Sequence, residues 1–132
     1  MTDQPSDRYD DTNIFARILR GEIPNKTVLD SDHTLVFHDI NPAAPHHLLV
    51  IPKGRYVDYA DFAAHASGAE IVDFHRAVAA VTERLGIQPG QGGAGFRAIT
   101  NAGSDGVQEV PHFHLHILAG RPLGRMLGRP SE

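Results

Sequence analysis

The segment His112-Phe113-His114-Leu115-His116-Ile117-Leu118 alternates imidazole and apolar side chains without a break. Period-two alternation marks an extended strand, because successive side chains leave a strand on opposite faces. The segment therefore predicts a strand over His112 to Ala119, beginning after Pro111 and ending at Gly120. Phe113, Leu115 and Ile117 then share a face that can close a core, while His112, His114 and His116 share the other.

Other short β-type runs precede it at Thr27 to Leu29, Leu35 to His38, Leu48 to Ile51 and Phe96 to Thr100. Asn41-Pro42-Ala43-Ala44-Pro45 reads as a rigid loop, since two prolines remove backbone donors and restrict their predecessors. A short helix begins where Thr12 or Asn13 can cap it, carries Ile14, Phe15, Ile18 and Leu19 on one stripe, and stops at Gly21. After Pro52 the texture turns helical, most clearly over residues 69 to 85, with Ile71, Phe74, Val78, Val81 and Leu85 on one face and a stop at Gly86. The sum is an α+β domain: a five-stranded antiparallel meander with one short and one long helix. Residues 1 to 11 hold four Asp and almost nothing apolar, and read as a disordered acidic tail; 12 to 121 form the domain; 122 to 132 form a basic tail.

Composition narrows the function. A length of 132 residues predicts one domain with a real core. The absence of cysteine excludes a disulfide scaffold, a thiolate zinc finger and a cysteine nucleophile. A formal charge of -4 argues against a partner that is nucleic acid. No apolar run approaches the roughly 20 residues that cross a bilayer, and the N-terminus lacks a signal-peptide pattern, so the expectation is a cytoplasmic protein with no membrane contact. The abnormal number is nine histidines.

Histidines two apart on a strand are separated by roughly 6.5 to 7 Å, so all three can address one phosphate or one metal ion. His47, at the start of the strand after the proline loop, is a fourth candidate. Residue physics leaves three readings open: a solvated strand face, a zinc-type metal site, and a nucleophilic imidazole acting on phosphorus. Asn101 to Gln108 runs into the histidine strand with the donors and flexible backbone that phosphoryl chemistry needs. Asp39, at a strand end, suits either the two hydroxyls of a ribose or the capping of a loop. No P-loop motif is present, which excludes that route to nucleotide phosphates.

The histidine segment matches the His-φ-His-φ-His-φ-φ signature of the histidine-triad (HIT) superfamily, where φ is apolar. The resemblance extends over residues 13 to about 121 through Asn13-Ile14-Phe15, Glu22-Ile23-Pro24, Phe37-His38-Asp39-Ile40-Asn41-Pro42, Pro45-His46-His47-Leu48-Leu49-Val50-Ile51-Pro52-Lys53 and Gly106-Val107-Gln108-Glu109-Val110. Leu118-Ala119-Gly120-Arg121 is similar to the Leu-Gly-Gly-Arg of the Hint branch of nucleoside phosphoramidases.

The resemblance implies a HIT-like fold whose sheet extends across a homodimer, and hydrolysis of purine nucleoside 5′-phosphoramidates or related adenylated substrates to an AMP-like product. It implies no metal and no cofactor. His114 would be the nucleophile that carries the nucleotidyl group, oriented by His112 largely through the backbone. His116 would contact the phosphate and assist proton transfer to the departing amine, with His47 in support. Asp39 would bind the ribose, and Ile40, Phe15, Ile18 and Phe37 would form the purine slot. Asn101, Gln108 and the backbone of Val107 and Glu109 would hold phosphate oxygens, and Leu115 belongs to the implied binding set. Cleavage of dinucleoside polyphosphates, and a nucleotide-binding or zinc-binding module with vestigial activity, are the alternatives. Val107 stands where the family commonly has glycine, which suits a negative local φ and use of the N–H alone. Glu109 stands where some relatives have Ser or Thr, so only its backbone is carried over. The tryptophan that Hint proteins use near the leaving group has no counterpart. His33, His38, His46, His65 and His75 have ordinary structural explanations.

Overall fold

Each element starts and stops where side-chain chemistry requires. In the computed structural model, which describes residues 8–128, Asn13 caps α1 (Ile14–Leu19) by accepting from the Ala16 N–H at 2.9 Å. Such a cap contributes about 1 kcal/mol to a short helix. Gly21 follows at φ +78°, a left-handed conformation that breaks the helix. The chain then forms β1 (Thr27–Asp30), β2 (Thr34–His38) and β3 (His46–Pro52), and enters α2 (Tyr59–His65) and α3 (Gly68–Arg84). A capping box starts α3, with the Ser67 side chain accepting from Glu70 N–H and the Glu70 carboxylate accepting from Ser67 N–H. After a 3₁₀ turn at Pro89–Gln91 come β4 (Phe96–Ile99) and β5 (Leu115–Ala119).

All pairings are antiparallel and the order is β1-β2-β3-β5-β4. This is the expected α+β, five-stranded architecture, with two refinements. The strands do not form a simple meander: β5, with Ile117 and Ala119 fully buried, takes the interior place beside β3, and the half-exposed β4 takes the edge. The helical texture after Pro52 resolves into two helices, because Ala66-Ser67 turns extended and Ser67 caps a new one.

The two faces of the sheet are covered unequally. On one face, Val36, Leu48, Val50 and Ile117 pack under Phe62 of α2 and Phe74, Ala77 and Val81 of α3. Phe113 lies in the middle of this layer, with ring centroids 4.9 Å from Phe62 and 5.0 Å from Phe74. On the other face, Leu35, Phe37, Leu49 and Ile51 are covered by Phe15 and Ile18 of α1, with the partly buried Leu19, Ile23 and Val110 beside them. A six-residue helix cannot shield a whole sheet face, so the His47 and His116 end of that face stays open.

The histidine strand is shorter than the expected His112 to Ala119. Pairing starts at Leu115, because the preceding residues bond to loops: Phe113 N–H donates to Tyr56 C=O at 2.8 Å and Thr100 Oγ1 donates to His114 C=O at 2.8 Å. Alternation nonetheless persists through the unpaired part. Of the expected acidic tail, residues 1–7 lie outside the described residues, and Tyr9 is half-buried against His112. At the other end, Arg97 donates to the Gly124 and Arg125 carbonyls, which ties the start of the basic tail to β4; Arg129 lies outside the described residues.

Val107 corrects an expectation. Its φ is +57°, not negative, and it is the one non-glycine residue in the left-handed region among the described residues. The reason is a tight loop in which Val107 N–H donates to Ser104 C=O and Gln108 N–H to Gly103 C=O. A β-branched side chain there is strained by about 1–3 kcal/mol, and Val107 is too exposed to offset it by packing. Val107→Gly should therefore raise the unfolding free energy by about 1 kcal/mol in a urea titration, after the entropic cost of glycine; an equal or lower value would show that the side chain is not strained.

Candidate active site

The half-covered face opens into a cavity of about 790 Å³. Strand parity explains its floor: His47 and Leu49 alternate with the α3-side core residues of β3, and His116 is paired in register with Leu49. Phe15 and Ile18 from α1 and Phe37 from β2 form an apolar wall, and Ile40 is an almost fully exposed rim. Asp39, His47, His114, His116 and Glu109 supply polar groups. A mostly apolar cleft with a few convergent polar groups is the usual form of a small-molecule site.

Hydrogen-bond partners assign the tautomers of the imidazoles. Ala43 N–H donates to His47 Nδ1 at 3.0 Å, so the His47 proton is on Nε2. That Nε2–H lies 2.9 Å from His116 Nδ1 and 3.4 Å from an Asp39 oxygen, which makes His116 Nδ1 the nearer acceptor. His116 therefore keeps its own proton on Nε2, as a donor. His114 has the opposite sense. Its Nδ1–H donates to the His112 carbonyl at 2.7 Å, leaving a lone pair on Nε2, which has no protein partner among the described residues. The His114 and His116 rings stand edge to face with centroids 5.0 Å apart. One cavity thus holds an imidazole lone pair and an imidazole N–H side by side.

Burial keeps these rings neutral. Desolvation pulls His116 down to about 4, helped by the neighbouring His114 and His47 rings and opposed by Asp39. His112 is also near 4, chiefly through burial, with the Pro52 carbonyl opposing. His114 and His47 are lowered from the ordinary histidine value by the same cause. All four are uncharged at neutral pH, which an attacking imidazole requires.

His112 is fully buried and is not among the cavity-lining residues; what it presents to His114 is its main-chain carbonyl. Four residues of the implied binding set are not brought to the cavity wall. Leu115 packs on the α3 side, as alternation demands. The Val107 N–H is spent inside its own loop. The Gln108 side-chain amide donates to Val57 C=O and Val110 C=O, so it braces the loop instead of facing a ligand. Asn101 is half-buried outside the lining. Sequence reasoning missed Leu49, Lys26 and Tyr9 as parts or supports of the site. Leu49 shares parity with His47 and could have been found from it; Lys26 sits in a linker without periodic pattern. Asp39, His47 and His116 each bring one ligand atom within 4.8 Å of the others, the one such group that could hold a metal ion among the described residues.

A family profile described as HIT domain matches residues 20–123. An uncharacterised 13.2 kDa HIT-like protein of Azospirillum brasilense is 56% identical over 119 residues, covering 90% of this chain and 94% of its own. The purine nucleoside phosphoramidase of Escherichia coli strain K12 is 40% identical over 114 residues, covering 86% and 92%. Among solved structures, a histidine triad protein from Clostridium difficile superposes with a TM-score of 0.74 at 39% identity, over 87% of this chain and 96% of that one. A HIT family hydrolase from Clostridium thermocellum gives 0.75 at 32% identity, over 89% and 99%. With the profile matched over residues 20–123 and relatives of 40% and 56% identity covering most of both chains, the chain belongs to the HIT domain family.

Proposed function

We propose that this protein hydrolyses purine nucleoside 5′-phosphoramidates in two steps through a nucleotidyl group on His114 Nε2. The observation that carries the reading is the opposed sense of the two unpartnered ring nitrogens, a lone pair on His114 and an N–H on His116. The name of the 40% identical Escherichia coli relative supports the same substrate class.

In the first step the His114 Nε2 lone pair forms a bond to phosphorus and the P–N bond to the leaving group breaks, while the departing nitrogen, hydrogen-bonded by His116 Nε2–H, takes a proton from water and leaves hydroxide. In the second, hydroxide forms the new P–O bond and the P–N bond to His114 breaks. The product is a nucleoside 5′-monophosphate and both imidazoles are restored. His47 holds His116 in the required tautomer. Asp39 receives the ribose hydroxyls, and Phe15, Ile18, Phe37 and Ile40 enclose the base. Phosphate contacts fall to His116 and the Glu109 backbone, since Val107 N–H and the Gln108 amide are engaged elsewhere.

Glu109 favours this reading over dinucleoside polyphosphates. Its carboxylate lines the cavity and acts electrostatically on His114. A fixed negative charge beside the phosphorus repels a polyphosphate leaving group and accepts a neutral or cationic amine. The homodimer belongs to the same reading, supported by the unpaired outer edge of β4 and the exposed face of Phe96.

Three outcomes are expected. Rapid quench and intact mass should find a nucleotidyl adduct that maps to His114, and His114→Ala should lose at least about 10³-fold in kcat while AMP affinity stays within a few-fold; wild-type turnover by this variant would end the proposal. An adenosine phosphoramidate should be cleaved at least tenfold faster than a diadenosine polyphosphate, as about 1.4 kcal/mol of charge repulsion would produce, and the reverse order would favour the polyphosphate reading. Because protonation of His114 removes the attacking lone pair and its pKa is lowered, the acid limb of kcat/KM should have its midpoint below 6.5. A midpoint above 7 would contradict a buried, neutral nucleophile.

A further inference from the structure

His112 is fully buried yet has both ring nitrogens satisfied. Its Nε2–H donates to the Pro52 carbonyl at 2.8 Å, so Nδ1 is an acceptor, and its partner is the Tyr9 hydroxyl at 2.5 Å. The two rings meet edge to face, with centroids 5.5 Å apart and planes at 69°. Tyr9 is itself held. The Arg55 guanidinium lies over its ring, 5.2 Å from the centroid, and the same guanidinium pairs with Asp11 at 3.0 Å. Arg8 on the other side of Tyr9 faces Asp58 at 3.9 Å. A segment before the first helix is thus fastened so that one hydroxyl meets one buried nitrogen.

The reach of that contact follows from the His112 main chain. Its carbonyl accepts the Nδ1–H of His114, and its N–H donates to the Val110 carbonyl in a tight turn. The ring, the turn and the carbonyl move together, because Pro111 on one side and buried Phe113 on the other leave the residue little freedom. Without the Tyr9 hydroxyl the His112 Nδ1 would be a buried acceptor with no donor, and the ring would be driven to another rotamer or tautomer to find one. Either change breaks the Pro52 bond and tilts the carbonyl that aims His114.

We infer that Tyr9 is a positioning residue for the nucleophile: its hydroxyl locks the His112 ring, and through the His112 carbonyl fixes the direction and tautomer of His114. This rests on the reading of His114 as nucleophile given above, and adds a residue outside the triad.

The test compares wild type with Tyr9→Phe, which keeps the ring contact with His112 and the face under Arg55 and removes one oxygen. Formation of the nucleotidyl-His114 adduct and kcat should fall about tenfold, as a small misalignment of a reacting group produces, while KM and AMP affinity change less than twofold. Nitrogen-15 spectra of the free protein should show His112 leaving its single Nε2–H tautomer in the variant. A packing role alone would lower the melting temperature and leave the adduct rate and the tautomer unchanged, and that result overturns the proposal. Should Tyr9→Phe prove unstable, Arg55→Gln, which loosens Tyr9 but keeps the hydroxyl, must reduce kcat in the same direction at constant KM; wild-type kcat there also overturns it. If wild type forms no adduct on His114, the nucleophile reading falls and the positioning role falls with it. An adduct formed at the wild-type rate by Tyr9→Phe defeats the positioning role alone.

Discussion

The hydrogen bond from His114 Nδ1 to the carbonyl of the residue two before it sets the terms for everything around it. For that carbonyl to be available, residues 112 to 114 must be extended but unpaired with a neighbouring strand, and the loop bonds of Phe113 and His114 achieve this. For His114 to be uncharged, the rings behind it must be dry, which burial of His112 provides. For the free nitrogen to meet a ligand, the face in front must be open. The sheet reconciles these demands by packing α2 and α3 on one side and the six-residue α1 with a few flanking residues on the other.

The same division separates stability from chemistry. Phe62, Phe74, Phe113, Val81 and the inner residues of β2, β3 and β5 form the layer that excludes water completely. Their burial stabilises each by roughly 1.5–3 kcal/mol before entropy is counted. The opposite layer has fewer large side chains, and two of its apolar members, Ile14 and Ile40, face solvent. Exposed aliphatic side chains around a cleft are unfavourable in an empty protein and become favourable when a flat aromatic ligand covers them.

Much of this was legible in the residues. Strict alternation in His112 to Ile117 established the strand, its two faces and the grouping of the histidines, since period two admits no other arrangement. The Asn13 cap, Gly21 and the apolar stripe of α3 are local signals and placed their helices within a residue or two. What local pattern could not encode is tertiary. The position of β5 between β3 and β4 depends on comparative burial, and the Val107 conformation depends on two hydrogen bonds of its loop. Tyr9 looked like part of an acidic tail because its partner lies 103 residues away, and its one signal was to be the sole aromatic residue among the first fourteen. Family resemblance supplied roles for His114 and His116 that strand geometry alone could not separate from metal binding.

The senses of the two cavity-facing imidazoles are each traced back to a main-chain group: the Ala43 N–H at the head of the His47–His116 chain, and the His112 C=O beneath His114. Side chains such as imidazole or hydroxyl can exchange donor and acceptor roles, so a network made only of them has two self-consistent polarities. An amide N–H and a carbonyl cannot exchange theirs. The backbone therefore acts as a diode for protons in this site, and its polarity passes intact through any replacement at position 43 except proline. Sequence drift in the proline loop can change how well the nitrogens are aimed, but it does not reverse which of them carries a proton and which a lone pair.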